Sequence, residues 1–181
     1  VRLSALLGGK HILSAMAAPL TFEVEGPAPV DIIFDDSTFA AGEQLKATYT
    51  FNSYRLTYRY RLSETDRFVF GLGFTAKIRD ALVGLETSDK KAEYDNVGFV
   101  PLINFRLEYR PARTFSILLQ GDALVGPQGR AEDVLLALAY HVNRHISLRG
   151  GYRVLEGGAD VDDVYNFTLL HYLSGGISIR F

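Results

Sequence analysis

The chain has 181 residues, enough for one domain, and a formal net charge of −2, so no charge excess points to nucleic acid or to a polybasic membrane patch. It has no cysteine, which excludes disulfides, thiolate metal sites and cysteine nucleophiles. Its 10 tyrosines, 12 phenylalanines and 17 glycines suit strands and turns better than helices. No apolar run reaches the ~18–20 residues of a membrane helix, so entry into a membrane requires a closed barrel, which satisfies every backbone polar group in lipid.

Residues 1–9 are expected to form an N-terminal extension or cap. Leu3 to Leu7 is a short apolar patch, followed by Gly8 and Gly9 and cut off by Lys10 and His11. The patch is too short for a signal peptide and the chain opens on Val, so it reads as a mature or trimmed chain, and the missing leader is no argument for the cytoplasm. Alternation begins at Ile12. Leu20, Phe22 and Val24 share one face, and Thr21, Glu23 and Glu25 the other. Gly26 to Gln44 carries Pro, Asp and Gly and is predicted to be a long loop.

The second strand sets Tyr54, Leu56, Tyr58, Tyr60 and Leu62 against Arg55, Thr57, Arg59 and Arg61, with a tight turn at Ser63 to Asp66. The third sets Phe68, Phe70, Leu72, Phe74, Ala76 and Ile78 against Gly71, Gly73, Thr75, Lys77 and Arg79, and its pattern frays near Asp80. A polar loop is expected at Glu86 to Asn96. The fourth strand opposes Ile103, Phe105, Leu107 and Tyr109 to Asn104, Arg106, Glu108 and Arg110. The fifth, after a turn at Pro111 to Arg113, opposes Phe115, Ile117, Leu119 and Ala123 to Ser116, Gln120 and Asp122. A modest loop at Gly126 to Arg130 leads to the sixth, Val134 to Val142, and a turn at Asn143 and Arg144 leads to the seventh, Ile146 to Val154. Gly157 to Asp163 is an acidic loop. In the last strand Tyr165, Phe167, Leu169, His171, Leu173, Gly175, Ile177, Ile179 and Phe181 alternate with a mostly polar set ending in Arg180.

Eight strands with alternating long and short connections predict an all-β fold: one eight-stranded antiparallel up-and-down transmembrane β-barrel over residues 1–181, both termini on the short-turn side. Alternation alone leaves open whether the apolar face meets lipid or a core, as in a lipocalin-like ligand-binding barrel. Three features favour lipid. Tyr58, Tyr60, Phe68, Phe70, Tyr109, Phe115, Tyr140 and Phe181 fall at the short-turn edge on the apolar face, as an aromatic girdle does at a membrane interface. The polar face carries Arg55, Arg59, Lys77, Arg79, Arg106, Glu108, Asp122, Arg149, Arg153 and Arg180, which could fill a narrow eight-stranded lumen as a charged plug. The last residue is an in-register Phe.

With these residues in view, the chain resembles the small eight-stranded outer-membrane proteins of the OmpA and OmpX kind, by pattern over nearly its whole length. The segments Gly151 to Asp160 and Val164 to Phe167 are also similar to the ends of uncharacterised bacterial outer-membrane barrels. The resemblance implies a Gram-negative outer membrane, contact with its lipid and lipopolysaccharide, and recognition of the Phe181 end by the barrel-assembly machinery. It implies no activity, and no tethering to the cell wall through a peptidoglycan-binding domain is expected.

The expected role is non-enzymatic: structural, or partner-binding through the outer loops, with no cofactor and no nucleic acid. Ile32, Ile33 and Phe34, among Asp31, Asp35 and Asp36 in the longest loop, are the candidate contact residues. A lipid A deacylase or acyltransferase is the enzymatic alternative. It needs a Ser and an acid beside His171, whereas Ser174 lies on the opposite face of the strand. His141 and His145 have helical metal spacing, which a turn between them removes. Asp160, Asp162 and Asp163 are weak calcium candidates without the EF-hand pattern. Gly71, Gly73 and Lys77 lie within a strand and form no phosphate loop; the glycines make room for bulky arginines. The cation-rich inner face also admits a narrow anion-selective channel as an alternative to a packed plug.

Overall fold

The computed structural model describes residues 1–126, 129–161 and 164–181, with side chains at all of these except 126, 129, 158–161 and 164–167. The protein is all-β, with strands β1 (Arg2–Leu7), β2 (His11–Ala18), β3 (Thr21–Pro27), β4 (Ile32–Phe34), β5 (Ser37–Phe39), β6 (Gln44–Glu64), β7 (Phe68–Glu86), β8 (Lys91–Ala112), β9 (Phe115–Gly126), β10 (Gly129–His141), β11 (Ile146–Val161) and β12 (Val164–Ile179). The main sheet is antiparallel and up-and-down, in the order β1-β2-β6-β7-β8-β9-β10-β11-β12, with β3 also on β6; β4 and β5 pair with each other.

Among the described residues twelve strands replace the eight expected, and the order is open, with β1 and β12 at its ends. Three local causes account for the extra strands. Gly8 and Gly9 both take positive φ, 57° and 81°, so residues 1–9 turn back as a hairpin strand rather than forming an extension or cap. The amide of Ala17 bonds the carbonyl of Val1 at 3.0 Å. Pro19, which has no N–H to donate, falls between β2 and β3. Its effect is local. Arg61 N–H donates to Lys10 C=O and Phe51 N–H to Leu20 C=O, in the register that pairs Thr21 with Thr50 and Pro27 with Gln44. β2 and β3 therefore follow one line along β6. Finally, the predicted loop at Gly26 to Gln44 contains the hairpin β4–β5, turned by Asp35 and Asp36 at φ 44° and 60°.

The other long loops are shorter than expected because the strands extend. Glu86 to Asn96 reduces to a turn between β7 and β8, closed by Thr87 N–H on Lys90 C=O at 2.8 Å. β9 reaches Gly126, β10 starts at Gly129 and β11 reaches Val161, so strands take up these parts of the loops expected at Gly126 to Arg130 and Gly157 to Asp163, and residues 127–128 and 162–163 lie outside the described residues.

The chain forms two compact units. The first comprises Val1–Leu3, Ala15–Arg55 and Lys77–Val100. Its apolar core is Phe39, Leu45, Leu85 and Ala92, with Ile32, Phe34 and Ala47 packed against it. The second comprises Ser4–Ser14, Leu56–Ala76 and Pro101–Phe181. Its only buried apolar cluster among the described residues, Leu118, Leu135 and Ala137, is small.

Candidate functional site

In the second unit the buried face is largely polar, though Val69, Leu102, Leu118, Leu135, Ala137, Ala139 and Leu155 also lie on it, and the exposed face is mostly apolar. Successive residues of a strand point to opposite faces, so parity assigns the residues of each strand to two faces. On β6 and β7, Thr57, Arg59 and Thr75 are buried, while Leu56, Tyr58, Leu72 and Phe74 are exposed, Phe74 at 70%. On β8 and β9, Asn104, Glu108, Ser116, Gln120 and Asp122 are buried, and Ile103, Leu107, Phe115 and Ile117 exposed. On β10 to β12 the exposed set includes Leu136, Leu138, Tyr140, Leu148, Tyr152, Leu173 and Ile177.

The buried polar groups satisfy one another across strands. Thr75 on β7 donates to Asp122 Oδ1 at 2.6 Å, so Thr57 on β6, 2.8 Å from Thr75 Oγ1, must donate to it. Asn104 Nδ2 donates to the same Asp122 oxygen at 2.7 Å and to Gly121 C=O at 3.1 Å. Its own oxygen accepts from Arg59 at 3.1 Å. The network thus joins β6, β7, β8 and β9. Glu108 accepts from Arg106 at 2.7 Å and Arg110 at 2.9 Å, and Arg106 also reaches Gln120 at 2.9 Å. Asp133 on β10 accepts two bonds from Arg153 on β11, both at 2.6 Å, a bidentate pair of the stronger kind. Gly71 makes part of this possible: a Cβ there would lie 3.1 Å from Arg59 Cδ.

The residues assigned to a charged plug divide between the units. Arg59, Arg106, Glu108, Asp122, Arg149 and Arg153 lie on the inward face of the second unit, Arg149 and Arg153 half-buried there. Arg55, Lys77 and Arg79 belong to the first unit, with Arg55 and Lys77 buried and Arg79 bonded to Asn96. Arg180 departs from the expectation. It is exposed beyond the end of β12, and its carbonyl accepts from His145 Nδ1–H at 3.0 Å.

Of the aromatic residues assigned to a girdle, Tyr58, Phe68, Phe115, Tyr140 and Phe181 are exposed, and Tyr60, Phe70 and Tyr109 half-buried. The Phe68 and Tyr109 rings stack at 4.7 Å, Phe115 and Tyr140 are register partners, and Tyr58 OH bonds His11 at 2.8 Å. The expected loop-contact residues fall on both faces of the β4–β5 hairpin. Ile33 is 80% exposed, but Ile32 and Phe34 lie on the inner side of the β4–β5 hairpin against Phe39, which is fully buried. A two-residue turn gives the segment strand alternation, which sets Ile33 on the face opposite Ile32 and Phe34. The side chains of Asp160, Asp162 and Asp163 lie outside the described residues.

His171 is exposed, and its register neighbourhood supplies Tyr152, whose OH lies 2.7 Å from His171 Nδ1, rather than a serine or an acid. Alternation gave no sign of a different histidine cluster. His141 Nε2 lies 3.0 Å from Ser116 Oγ and Nδ1 2.8 Å from Ser147 Oγ. Both ring nitrogens are taken by hydroxyls, which leaves no place for the carboxylate of a triad. Ser116 and Ser147 are far apart in sequence and meet His141 only through the β9–β10–β11 register, which pairs His141 with Ser147.

No protein-family model, no curated protein and no solved structure matches this chain.

Proposed function

We propose that the chain is an integral, non-enzymatic outer-membrane β-barrel, structural or partner-binding through the parts of it that leave the membrane. The observation that carries the reading is the inverted burial of the second unit: Thr75 and Asp122 are 1% and 2% exposed while Leu173 is 86% exposed. Burying apolar surface is worth ~25 cal/mol per Å² in water, so a water-soluble sheet would turn these faces the other way. Lipid removes that cost and leaves the polar face to be satisfied internally, as the Asp122, Glu108 and Asp133 networks do. Tyr54–Leu62 and Phe68–Ile78 match the ~9–11 residues with which a tilted strand crosses the hydrocarbon.

Lipid also forbids an open sheet edge. Neighbouring strands alternate in direction, so β12 runs antiparallel to β2 and β3 but parallel to β1. Counting β2 and β3 as one line, β2/β3 and β6 to β12 are eight strands, an even number that closes antiparallel when β12 takes the outer edge of β2/β3. β1 lies on that edge and gives it up in the closed form.

The test is expression with a signal peptide, isolation of outer membranes, and comparison of gel mobility before and after boiling. A membrane-borne band that shifts on boiling is expected. A protein soluble without detergent and unshifted overturns the reading.

A further inference from the structure

The first unit contains an inversion of its own. On β6, Leu45, Ala47, Tyr49 and Phe51 share the inward face, with Lys46, Thr48, Thr50 and Asn52 outward. From Ser53 the pattern exchanges. Ser53 and Arg55 are buried and Tyr54 is exposed, although the strand continues without a break. β7 does the same: Lys77 is buried and Ile78 exposed on one side of Asp80, while beyond it Leu85 is buried and Glu86 exposed. On β8 the outward face reads Lys91, Glu93 and Asp95, then Val97 and Phe99, both exposed. Along β2/β3 the outward face reads Leu13, Ala15, Ala17 and Pro19, then Thr21, Glu23 and Glu25.

The four exchanges lie side by side. Leu20 N–H donates to Asn52 Oδ1 at 3.3 Å, Asn52 Nδ2 donates to Asp80 Oδ2 at 3.0 Å, and Arg79 bonds Asn96. A β-bulge would produce the same slip of pattern in sequence by adding one residue to one strand. Register excludes it on both sides of β6. The bonds of β6 to β2 and β3 keep one register from Lys10 to Pro27, and Thr57 faces Thr75 in the register in which Asn52 faces Asp80. The side chains keep their faces and the environment changes sign.

We infer that an outer boundary of the bilayer runs along Pro19, Asn52, Asp80 and Val97, and that the chain beyond it, the far portions of β3, β6, β7 and β8 with the β4–β5 hairpin, is a water-facing body with an apolar core of its own. The inference rests on the membrane reading above. It gives the protein two surfaces for two partners: an apolar belt for acyl chains on one side of the line, and a charged face for water on the other. Lys46 and Glu23, 3.1 Å apart, and the Lys91–Glu93 pair occupy that charged face. Glu23 holds the Lys46 ammonium above the ordinary lysine range. The hairpin covers the core, with Phe39, Ile32 and Phe34 over Leu45, Leu85 and Ala92. Phe22, itself exposed, lies opposite Tyr49 with the ring centroids 5.1 Å apart.

The native chain has no cysteine, so single-cysteine variants take a fluorophore at one site only. Bimane is placed at six outward positions: Leu56, Phe74 and Leu107 on the apolar side, and Glu25, Thr48 and Glu93 on the charged side. Each variant is folded into phosphatidylcholine vesicles with brominated acyl chains, checked for the mobility shift, and read again with aqueous iodide. Severalfold bromine quenching at the first three sites, with iodide quenching and no bromine quenching at the other three, is expected. Bromine quenching at all six overturns the boundary and leaves the membrane reading standing. Bromine quenching at none overturns both.

Discussion

Asp133 and Arg153 show what a buried polar face demands of single residues. Their bidentate pair lies between two strands, with the Asp133 side chain almost fully buried. Removing one member leaves a charge without its partner, which costs ~3–5 kcal/mol, whereas replacing both by apolar residues of similar volume is close to neutral. Asp133→Leu is therefore expected to lower the denaturation midpoint strongly, and Asp133→Leu with Arg153→Met to recover most of the loss, in a double-mutant cycle on lipid-folded protein. Gly73 makes a steric demand. A Cβ there would meet Tyr58 C=O at 1.9 Å and Arg59 Cα at 2.6 Å, both backbone, while a Cβ at Gly150 would meet nothing within 4 Å. Gly73→Ala should destabilise by ~1–3 kcal/mol in urea titration and Gly150→Ala should leave the midpoint nearly unchanged. Parity lets the sequence assign each such residue to a face. It does not name the partner, because Asp122 meets Thr75 and Asn104, and His141 meets Ser116 and Ser147, through registers that no local pattern encodes.

At the level of elements, the long strands were legible wherever alternation ran unbroken, as from Tyr54 to Leu62 or Phe68 to Ile78. The misses have local causes. The hairpin β4–β5 was read as loop because Asp35 and Asp36 signal a turn without a glycine, and three-residue strands are too short to show a period. Both Asp residues sit at positive φ, a conformation costly for most side chains by ~1–2 kcal/mol. Asp36→Gly is expected to raise thermal stability slightly and Asp36→Val to lower it, compared by circular dichroism melting. β1 was ambiguous because Leu3 to Leu7 has no alternation. Its place on the outer edge of β2 gives a sharper expectation: under the proposed closure, in which β12 takes that edge, deletion of residues 1–9 should leave the boiling shift intact. Loss of the shift in the deletion would instead make β1 part of the closing seam.

For the molecule as a whole, fold class was readable from composition and period two, and the antiparallel up-and-down order from the short turns. The strand count and the open order were not, since Pro19 and the two hairpins divide or add strands without changing the dominant pattern. The exchange of polar and apolar faces along β6, β7 and β8 shows in sequence as a slip of phase and as fraying near Asp80, but alternation measures contrast between faces and is blind to which face is wet. A consequence concerns spelling. Taken over all of β6, the two halves of the code cancel, so a score averaged from Gln44 to Glu64 would rank one of the most strictly written segments of the chain among the least patterned. Removing the single letter Asn52 would bring both halves into one phase and give a strand that reads perfectly and belongs wholly to neither oil nor water.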